Sequence, residues 1–334
     1  MIKKQIPVTI ITGYLGSGKT TLINNIIRQY PAKRFAIIVN EFGDIGIDGD
    51  LIAGTKEQIY ELNNGCICCS IHSDFRQTIE GLLKNGRVFD HLLIETTGIA
   101  DPSTVLRAFM DAEISNIFKI QSLVCLVDAI NFQEIIFSSE ELKLQLCLAD
   151  IVLLNKSGAK TPQELLKMKD VILSISPLAI LFEVEHSDIS SLNLLDTHNY
   201  EREEIEKQAL SFRNIFSSTS ASADIKLLHP HTTFSFAIPG SLDLEKFNVW
   251  IENFIYQNSQ NIYRIKGILS FKEFDYKIVF QSVRDSFSLE QGGAWNEESR
   301  FCKLVFIGKN IDKENIEHGF YGLLTSQIQN ISFY

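Results

Sequence analysis

Short apolar runs rich in β-branched residues recur through the first half of the chain, at Pro7–Thr12, Phe35–Asn40, His91–Glu95, Leu123–Asp128, Ile151–Asn155 and Ala179–Val184. Between several of them the apolar residues fall at helical spacing instead, as in Thr21–Gln29 and Asp74–Leu83. Strands that read as nearly continuous apolar runs are buried on both faces, and intervening helices supply the crossovers that parallel pairing needs. The pattern predicts a doubly wound α/β domain built on a mostly parallel sheet.

After His229 the pattern changes. Thr232–Ile238, Tyr263–Phe271 and Lys277–Val283 alternate, Lys303–Ile307 is apolar, and Leu242–Tyr256 and Lys313–Leu324 read as helices. Strands that follow one another without helices between them predict a smaller α+β domain. The intervening stretch from Ser187 to Ala223 is polar and rich in Ser, Asn and Glu. The expected organisation is a first domain over residues 1–190, a linker over 191–228 and a second domain over 229–334. A length of 334 residues fits two cores better than one.

A hydrophobic content of 45% and a charged content of 22% are those of an ordinary globular protein. The net charge of −10 argues against broad binding to nucleic acid or to an anionic membrane, which needs a basic face. No apolar run approaches the ~18–20 residues that span a bilayer. The opening Met1–Thr12 runs straight into a glycine-rich turn, without the longer apolar core and small-residue cleavage site of a signal peptide. The expected location is the cytoplasm.

The strongest chemical signal is Gly13-Tyr14-Leu15-Gly16-Ser17-Gly18-Lys19-Thr20, which fits G-x-x-x-x-G-K-[ST] between a predicted strand and a predicted helix. Glycines let the backbone curl until several N–H groups face phosphate oxygens, helped by the N-terminus of the following helix. Lys19 would place a positive charge on the β- and γ-phosphates, and the Thr20 hydroxyl would ligate Mg²⁺. The candidate nucleotide-contacting residues on this loop are Gly13, Gly16, Ser17, Gly18, Lys19, Thr20 and Thr21.

Two acidic segments could complete such a site. His91–Glu95 leads into Thr96-Thr97-Gly98, so Glu95 stands at a strand end, where a carboxylate orients Mg²⁺ or its water; the Gly98 N–H could approach the γ-phosphate. Asp101-Pro102 suits a helix start. The loop from Asn40 to Asp48 holds the carboxylates of Glu41, Asp44 and Asp48 with Gly43 and Gly46. It reads equally as a switch segment that rearranges around a γ-phosphate and as a solvated acidic turn. Lys19, Glu95 and Glu41 are the candidate catalytic residues.

Six cysteines are too few for a disulfide framework at this length, and three of them crowd together as Cys66-Ile67-Cys68-Cys69. Thiolates bind Zn²⁺ strongly, but three do not close a tetrahedral site, and Glu41, His72 or an exchangeable partner group would supply the fourth ligand. An open site suits transfer of a metal better than permanent structure. Buried small hydrophobes and a redox pair remain the alternatives. His229-Pro230-His231 reads either as a secondary metal-handling pair or as a polar linker.

Taken in order, the Gly13–Thr21 loop, Asn40-Glu41-Phe42-Gly43, Cys66-Ile67-Cys68-Cys69 and Glu95-Thr96-Thr97-Gly98-Ile99-Ala100-Asp101-Pro102 resemble the CobW-type GTPase metallochaperones, relatives of UreG and HypB. Tyr263-Arg264-Ile265-Lys266-Gly267, and Trp295 followed by Leu304-Val305-Phe306-Ile307-Gly308, are similar to that family's C-terminal module. The resemblance implies GTP and Mg²⁺ on the first domain, and hydrolysis coupled to delivery of Zn²⁺, or in some members Co²⁺, to a client metalloprotein. It assigns Cys66, Cys68, Cys69 and Glu41 to the transition metal, Thr20 and Glu95 to Mg²⁺, and Asn155 and Lys156 to the base. Nucleotide and metal would then bias one another reciprocally. One departure stands out. The family's base-reading Asn-Lys-x-Asp is Asn155-Lys156-Ser157-Gly158 here, and loss of the Asp predicts a guanine preference weaker by about 2–3 kcal/mol. Two other classes compete with this reading: a nucleotide-binding metal store or regulator with negligible turnover, and a small-molecule kinase. Neither the client nor the oligomeric state is written in the sequence.

Overall fold

The computed structural model describes residues 5–39, 59–61, 79, 89–196 and 231–324. The chain divides into two compact units, residues 1–173 with 179–199, and residues 174–178 with 200–334.

The first unit is a seven-stranded parallel sheet with helices. Its strands are β1 (Ile6–Gly13), β2 (Phe35–Val39), β3 (Ile59–Glu61), β4 (His91–Glu95), β5 (Phe118–Asp128), β6 (Ile151–Asn155) and β7 (Ile180–Glu183). They lie in the order β3-β2-β4-β1-β5-β6-β7, and every pairing is parallel. β1 occupies the centre, with Val8, Ile10 and Ile11 fully buried; β4, β2 and β3 lie on one side of it, β4 inserted last between β2 and β1, and β5, β6 and β7 follow in order on the other. The carboxyl end of β1 is therefore a topological switch point, the place where open α/β sheets leave a crevice for ligands. α1 (Lys19–Gln29) follows directly and buries Leu22, Ile23 and Ile26 on the sheet beside Ile11, Ile37 and Leu93. Each of those three side chains contributes about 2 kcal/mol of hydrophobic burial.

Further helices are α2 (Ser103–Ala108), α3 (Ala112–Ser115), α4 (Phe132–Ser138), α5 (Glu140–Leu148) and α6 (Pro162–Ile175). β5 begins five residues before the expected Leu123, and Phe118, Lys119 and Ile120 pair with Ile6, Pro7 and Val8. Lys119 and Gln121 interrupt the apolar run, which hides this part of the strand from a hydropathy reading. The polar stretch that begins at Ser187 also feeds the first core, where Ile189, Leu194 and Leu195 are buried against β6 and α1 residues. Asn40, at the end of the expected second strand, and most of Asp74–Leu83 lie outside the described residues.

The second unit is the expected α+β arrangement. β8 (His231–Pro239), α7 (Leu244–Asn258), β9 (Ile262–Leu269), β10 (Tyr276–Val283), β11 (Ser286–Ala294), β12 (Phe301–Lys309) and α8 (Lys313–Tyr321) form an antiparallel sheet in the order β11-β10-β9-β12-β8 with two helices. Alternation puts Ile265 and Leu269 of β9, Ile278 and Phe280 of β10, and Leu304 and Phe306 of β12 into one core with Phe247 of α7 and Phe320 of α8. Phe247 meets the rings of Phe280 and Phe320 edge-on, an arrangement the ring quadrupoles favour. Gly267 is obligatory here, since a Cβ would lie 2.0 Å from the Lys303 carbonyl. β11 is an edge strand with mostly polar, partly exposed residues, so its sequence carries little strand signal. Among the described residues no helix is long and apolar enough to cross a membrane.

Candidate nucleotide site

The loop Tyr14–Gly18 joins the buried end of β1 to α1, and its shape depends on glycine at specific points. Gly13, Gly16 and Gly18 have φ of 143°, 74° and 106°, conformations that L side chains rarely adopt. A Cβ on Gly13 would lie 2.4 Å from the Leu126 carbonyl of the neighbouring strand. Gly18 occupies the cap position of α1 and offers the first turn no side-chain acceptor, which leaves that turn's N–H groups to another partner.

Three side chains, from the end of β6 and from the loops after β6 and β7, hold the opposite face of this turn. Asn155 Nδ2 donates to the Ser17 carbonyl at 2.8 Å, Lys156 Nζ to the Gly16 carbonyl at 3.0 Å, and Ser187 Oγ to the Gly18 carbonyl at 3.1 Å. In a trans peptide the C=O and the next N–H point opposite ways. Tying the Ser17 and Gly18 carbonyls in one direction therefore turns the Gly18 and Lys19 N–H groups in the other. That produces an anion nest with its orientation already fixed.

Lys19 is 8% exposed, and its ammonium reaches back over the loop to donate to the carbonyls of Gly13 (3.1 Å) and Tyr14 (3.5 Å). Thr20 Oγ1 donates to Glu95 Oε1 at 3.4 Å, which joins the first turn of α1 to the end of β4. Glu95 is buried. The β4 end is fastened to β1 by Thr96, whose N–H donates to the Ile11 carbonyl and whose hydroxyl donates to Thr12 Oγ1 at 2.9 Å. Gly98 comes next, and its backbone passes so near the phosphate loop that a Cβ would lie 2.6 Å from the Leu15 nitrogen. The hydroxyls of Ser17 and Thr97 are buried with no hydrogen-bond partner among the described residues. Thr21 is exposed on α1. Asp101 accepts the Ser103 N–H at 2.8 Å, but the cap position of α2 is Pro102, one residue later than Asp101-Pro102 suggested, because the helix begins at Ser103.

The expected residues Gly13, Gly16, Ser17, Gly18, Lys19, Thr20, Glu95, Gly98, Asn155 and Lys156 thus converge on one edge of the sheet. Sequence reasoning missed two others. Asp128, at the end of β5, pairs with Lys156 at 2.8 Å and also accepts from the Ile130 N–H and Asn131 Nδ2. Burial alone would raise its carboxyl, but the bond from Lys156 and those two donors hold it below the usual carboxylate range. Ser187 is fully buried at φ 53°, and its N–H donates to Asn155 Oδ1 at 2.8 Å. A strand ending in Asp gave a weak signal for the first; nothing in the polar stretch around Ser187 marked the second.

The donor set fits a magnesium–triphosphate: an uncapped helix start, an ammonium over the loop, and a hydroxyl beside a buried carboxylate. Glu41, Cys66, Cys68, Cys69, His72 and His229 lie outside the described residues, and of His231 only the backbone, at the start of β8, is described. Among the described residues no group of three or more His, Cys, Asp or Glu could hold a metal ion. The three described cysteines, Cys125, Cys147 and Cys302, are buried, and burial pushes the thiols of Cys125 and Cys302 up to about 12. They behave as small hydrophobes.

A family model for the CobW/HypB/UreG nucleotide-binding domain matches residues 7–183, and one for the cobalamin synthesis protein cobW C-terminal domain matches residues 231–324. The zinc chaperone YjiA of Escherichia coli (strain K12) is 30% identical over 326 residues, covering 95% of this chain and 98% of that protein. Zinc-regulated GTPase metalloprotein activator 1 of Schizosaccharomyces pombe is 30% identical over 343 residues, covering 92% and 83%. The crystal structure of Zn(II)-bound YjiA GTPase from E. coli shares the fold, with a TM-score of 0.71 at 24% identity over 97% of this chain and 100% of that one.

Proposed function

The chain belongs to the CobW/HypB/UreG family of nucleotide-binding proteins, and from that membership we propose that it is a GTP-hydrolysing zinc metallochaperone. The observation that carries the nucleotide half is the convergence of Lys19, Thr20 and Glu95 on a glycine turn with its N–H groups pre-oriented. In this reading Gly18 and Lys19 donate their N–H groups to phosphate oxygens, and the Lys19 ammonium turns from the loop carbonyls to the β- and γ-phosphates. Thr20 and Glu95 would hold Mg²⁺, which supplies neutralisation of phosphate charge when bound. Glu95 orients the attacking water or its metal neighbour, the Gly98 N–H faces the γ-phosphate, and Glu41 assists hydrolysis. Asn155 and Lys156 contact the nucleoside end. Because the donors are fixed before the ligand arrives, little reorganisation is needed as charge develops.

The cargo half rests on the motif and on the relatives named as zinc chaperones. Cys66, Cys68 and Cys69, with Glu41 as a fourth ligand, would hold Zn²⁺ as cargo, and a client metalloprotein would receive it. Glu41 would then answer to both nucleotide and metal, so that γ-phosphate favours the metal-holding conformation and hydrolysis weakens it. The test is a titration of Zn²⁺, and of Co²⁺ as a coloured thiolate probe, with Mg-GDP or with a non-hydrolysable GTP analogue. The expected result is tighter metal binding with the analogue and loss of the difference in Cys68→Ser/Cys69→Ser. Equal metal affinity in both nucleotide states would overturn the coupling.

A further inference from the structure

We propose that Glu185, in the loop after β7, supplies the carboxylate that reads guanine, in place of the acidic side chain that Gly158 lacks. This rests on the nucleotide reading above and adds to it the residue that selects the base.

The geometry begins with the direction of the nucleotide. Thr20 and Glu95 join on the β4 side of the phosphate loop, which assigns the γ-phosphate end to that side. The nucleoside end must then run along the carboxyl edge of the sheet toward β6 and β7, the strands whose loops brace the turn through Asn155, Lys156 and Ser187. Those two loops are bonded into one surface. The Ser157 hydroxyl donates to the Val184 carbonyl at 3.0 Å, the Ser187 N–H to Asn155 Oδ1 at 2.8 Å, and Asn155 Nδ2 to Ser187 Oγ at 2.9 Å.

Within that surface the Gly158 N–H donates to Glu185 Oε2 at 2.7 Å. A Cβ on Gly158 would sit 3.0 Å from that same oxygen. The Glu185 carboxylate therefore occupies the space a side chain at 158 would enter, and a single backbone bond fixes it there. Its neighbour His186 is at φ 51°, a turn that carries the chain from Glu185 back to the buried Ser187. Among the described residues the titratable group against it is the His186 ring, with Nε2 3.8 Å from Oε1. The Glu185 side chain is 47% exposed, so it can receive a ligand. A carboxylate offers two acceptors side by side. Guanine presents N1–H and N2–H₂ to such a pair, whereas adenine presents an acceptor at N1 and would set lone pair against lone pair. The deficit expected from glycine at position 158 is thus offset from the loop after the next strand.

The test is calorimetric titration of the full chain with Mg²⁺ and GDP, ADP or xanthosine diphosphate. The wild type should prefer GDP over ADP by roughly 10- to 100-fold, the range for bonds to a charged group. Glu185→Ala should collapse that ratio while ADP remains bound, which reports an intact phosphate site. Glu185→Gln should shift preference to the xanthine nucleotide, because a carboxamide accepts from N1–H and donates to the O2 of xanthine. Adding Gly158→Asp to Glu185→Ala should recover GDP preference. A Glu185→Ala variant with the wild-type ratio, or a wild type without guanine preference, would overturn the assignment. A wild type that bound none of the three would overturn the nucleotide reading and this assignment with it.

Discussion

His91 opens β4 in the interior of the first unit and is fully buried. Its Nε2 shares a hydrogen bond with Thr9 Oγ1 at 2.9 Å, and its ring leans on Phe35. Nδ1 is buried with no hydrogen-bond partner among the described residues. Burial pushes the imidazole down to about 3, with a smaller push from the charge of Lys33. Between pH 3 and about 6.5 the folded chain therefore leaves His91 neutral while the unfolded chain protonates it. Unfolding takes up a proton throughout that window. Stability is fully present above the unfolded value and falls as pH drops toward the folded one, by about 1.4 kcal/mol per pH unit. At pH 5 the cost is about 2 kcal/mol, a large share of the margin of an ordinary domain. Carboxylates such as Asp128, held below their ordinary range, stay ionised in both states down to about pH 5 and leave the interval between about pH 5 and 7 clear. His91→Gln keeps a polar group within reach of Thr9 and removes the titration. Urea unfolding followed by far-ultraviolet circular dichroism at pH 7 and pH 5 should show the wild type losing about 2 kcal/mol more than the variant. Equal losses would show that protonation of His91 is not linked to unfolding.

Asn155→Ala removes both bonds to Ser187 and the bond to the Ser17 carbonyl in a buried site. Unfolding free energy should fall by about 2–3 kcal/mol, and calorimetry should show GDP affinity reduced as well, because the turn loses a brace. Gly98→Ala drives a methyl group against the Leu15 nitrogen, and the loop can relieve the clash only by moving. A cost of about 1–3 kcal/mol is expected in unfolding free energy, with nucleotide affinity reduced as well because the displaced segment is the phosphate loop. An unaltered affinity would show that Gly98 and the loop do not press on each other.

How much of this was legible in the sequence follows from where each contact lies. β4 and β6 appear at the expected residues because their runs are unbroken and end sharply in Glu95 and Asn155. The Gly13–Thr20 turn is legible because its positive φ values demand glycine at set spacing. β5 was half hidden by Lys119 and Gln121, and β11 almost wholly, since an edge strand needs no apolar face. Asp128 gave only the weak signal of an acidic strand end, and Ser187 was illegible for a different reason. Ser187 bonds to Gly18 across 169 positions, and no local pattern records a partner at that distance. Gly158 was legible as a gap, but the sequence alone could not say which carboxylate stands beside it.

The two loops after β6 and β7 consequently do more than complete a pocket. Asn155, Lys156 and Ser187 accept the task of orienting three consecutive carbonyls of the phosphate loop, at separations of 138, 140 and 169 residues. Glu185 stands two residues before Ser187 on the same turn and is bonded to Gly158, three residues after Asn155. A pull on the base-contacting carboxylate is thus transmitted through one turn to the hydroxyl that holds Gly18, and through Gly18 to the Lys19 N–H. Rigid bracing of this kind lowers the ordering cost of binding, which is where pre-organisation acts. It also makes base and phosphate recognition interdependent: Asn155→Ala combined with Glu185→Ala should cost GDP affinity by an amount different from the sum of the single losses, since contacting residues in one network do not add. Strict additivity in that double-mutant cycle would mean that the two ends of the nucleotide are read separately, with the shared turn serving only as scaffold.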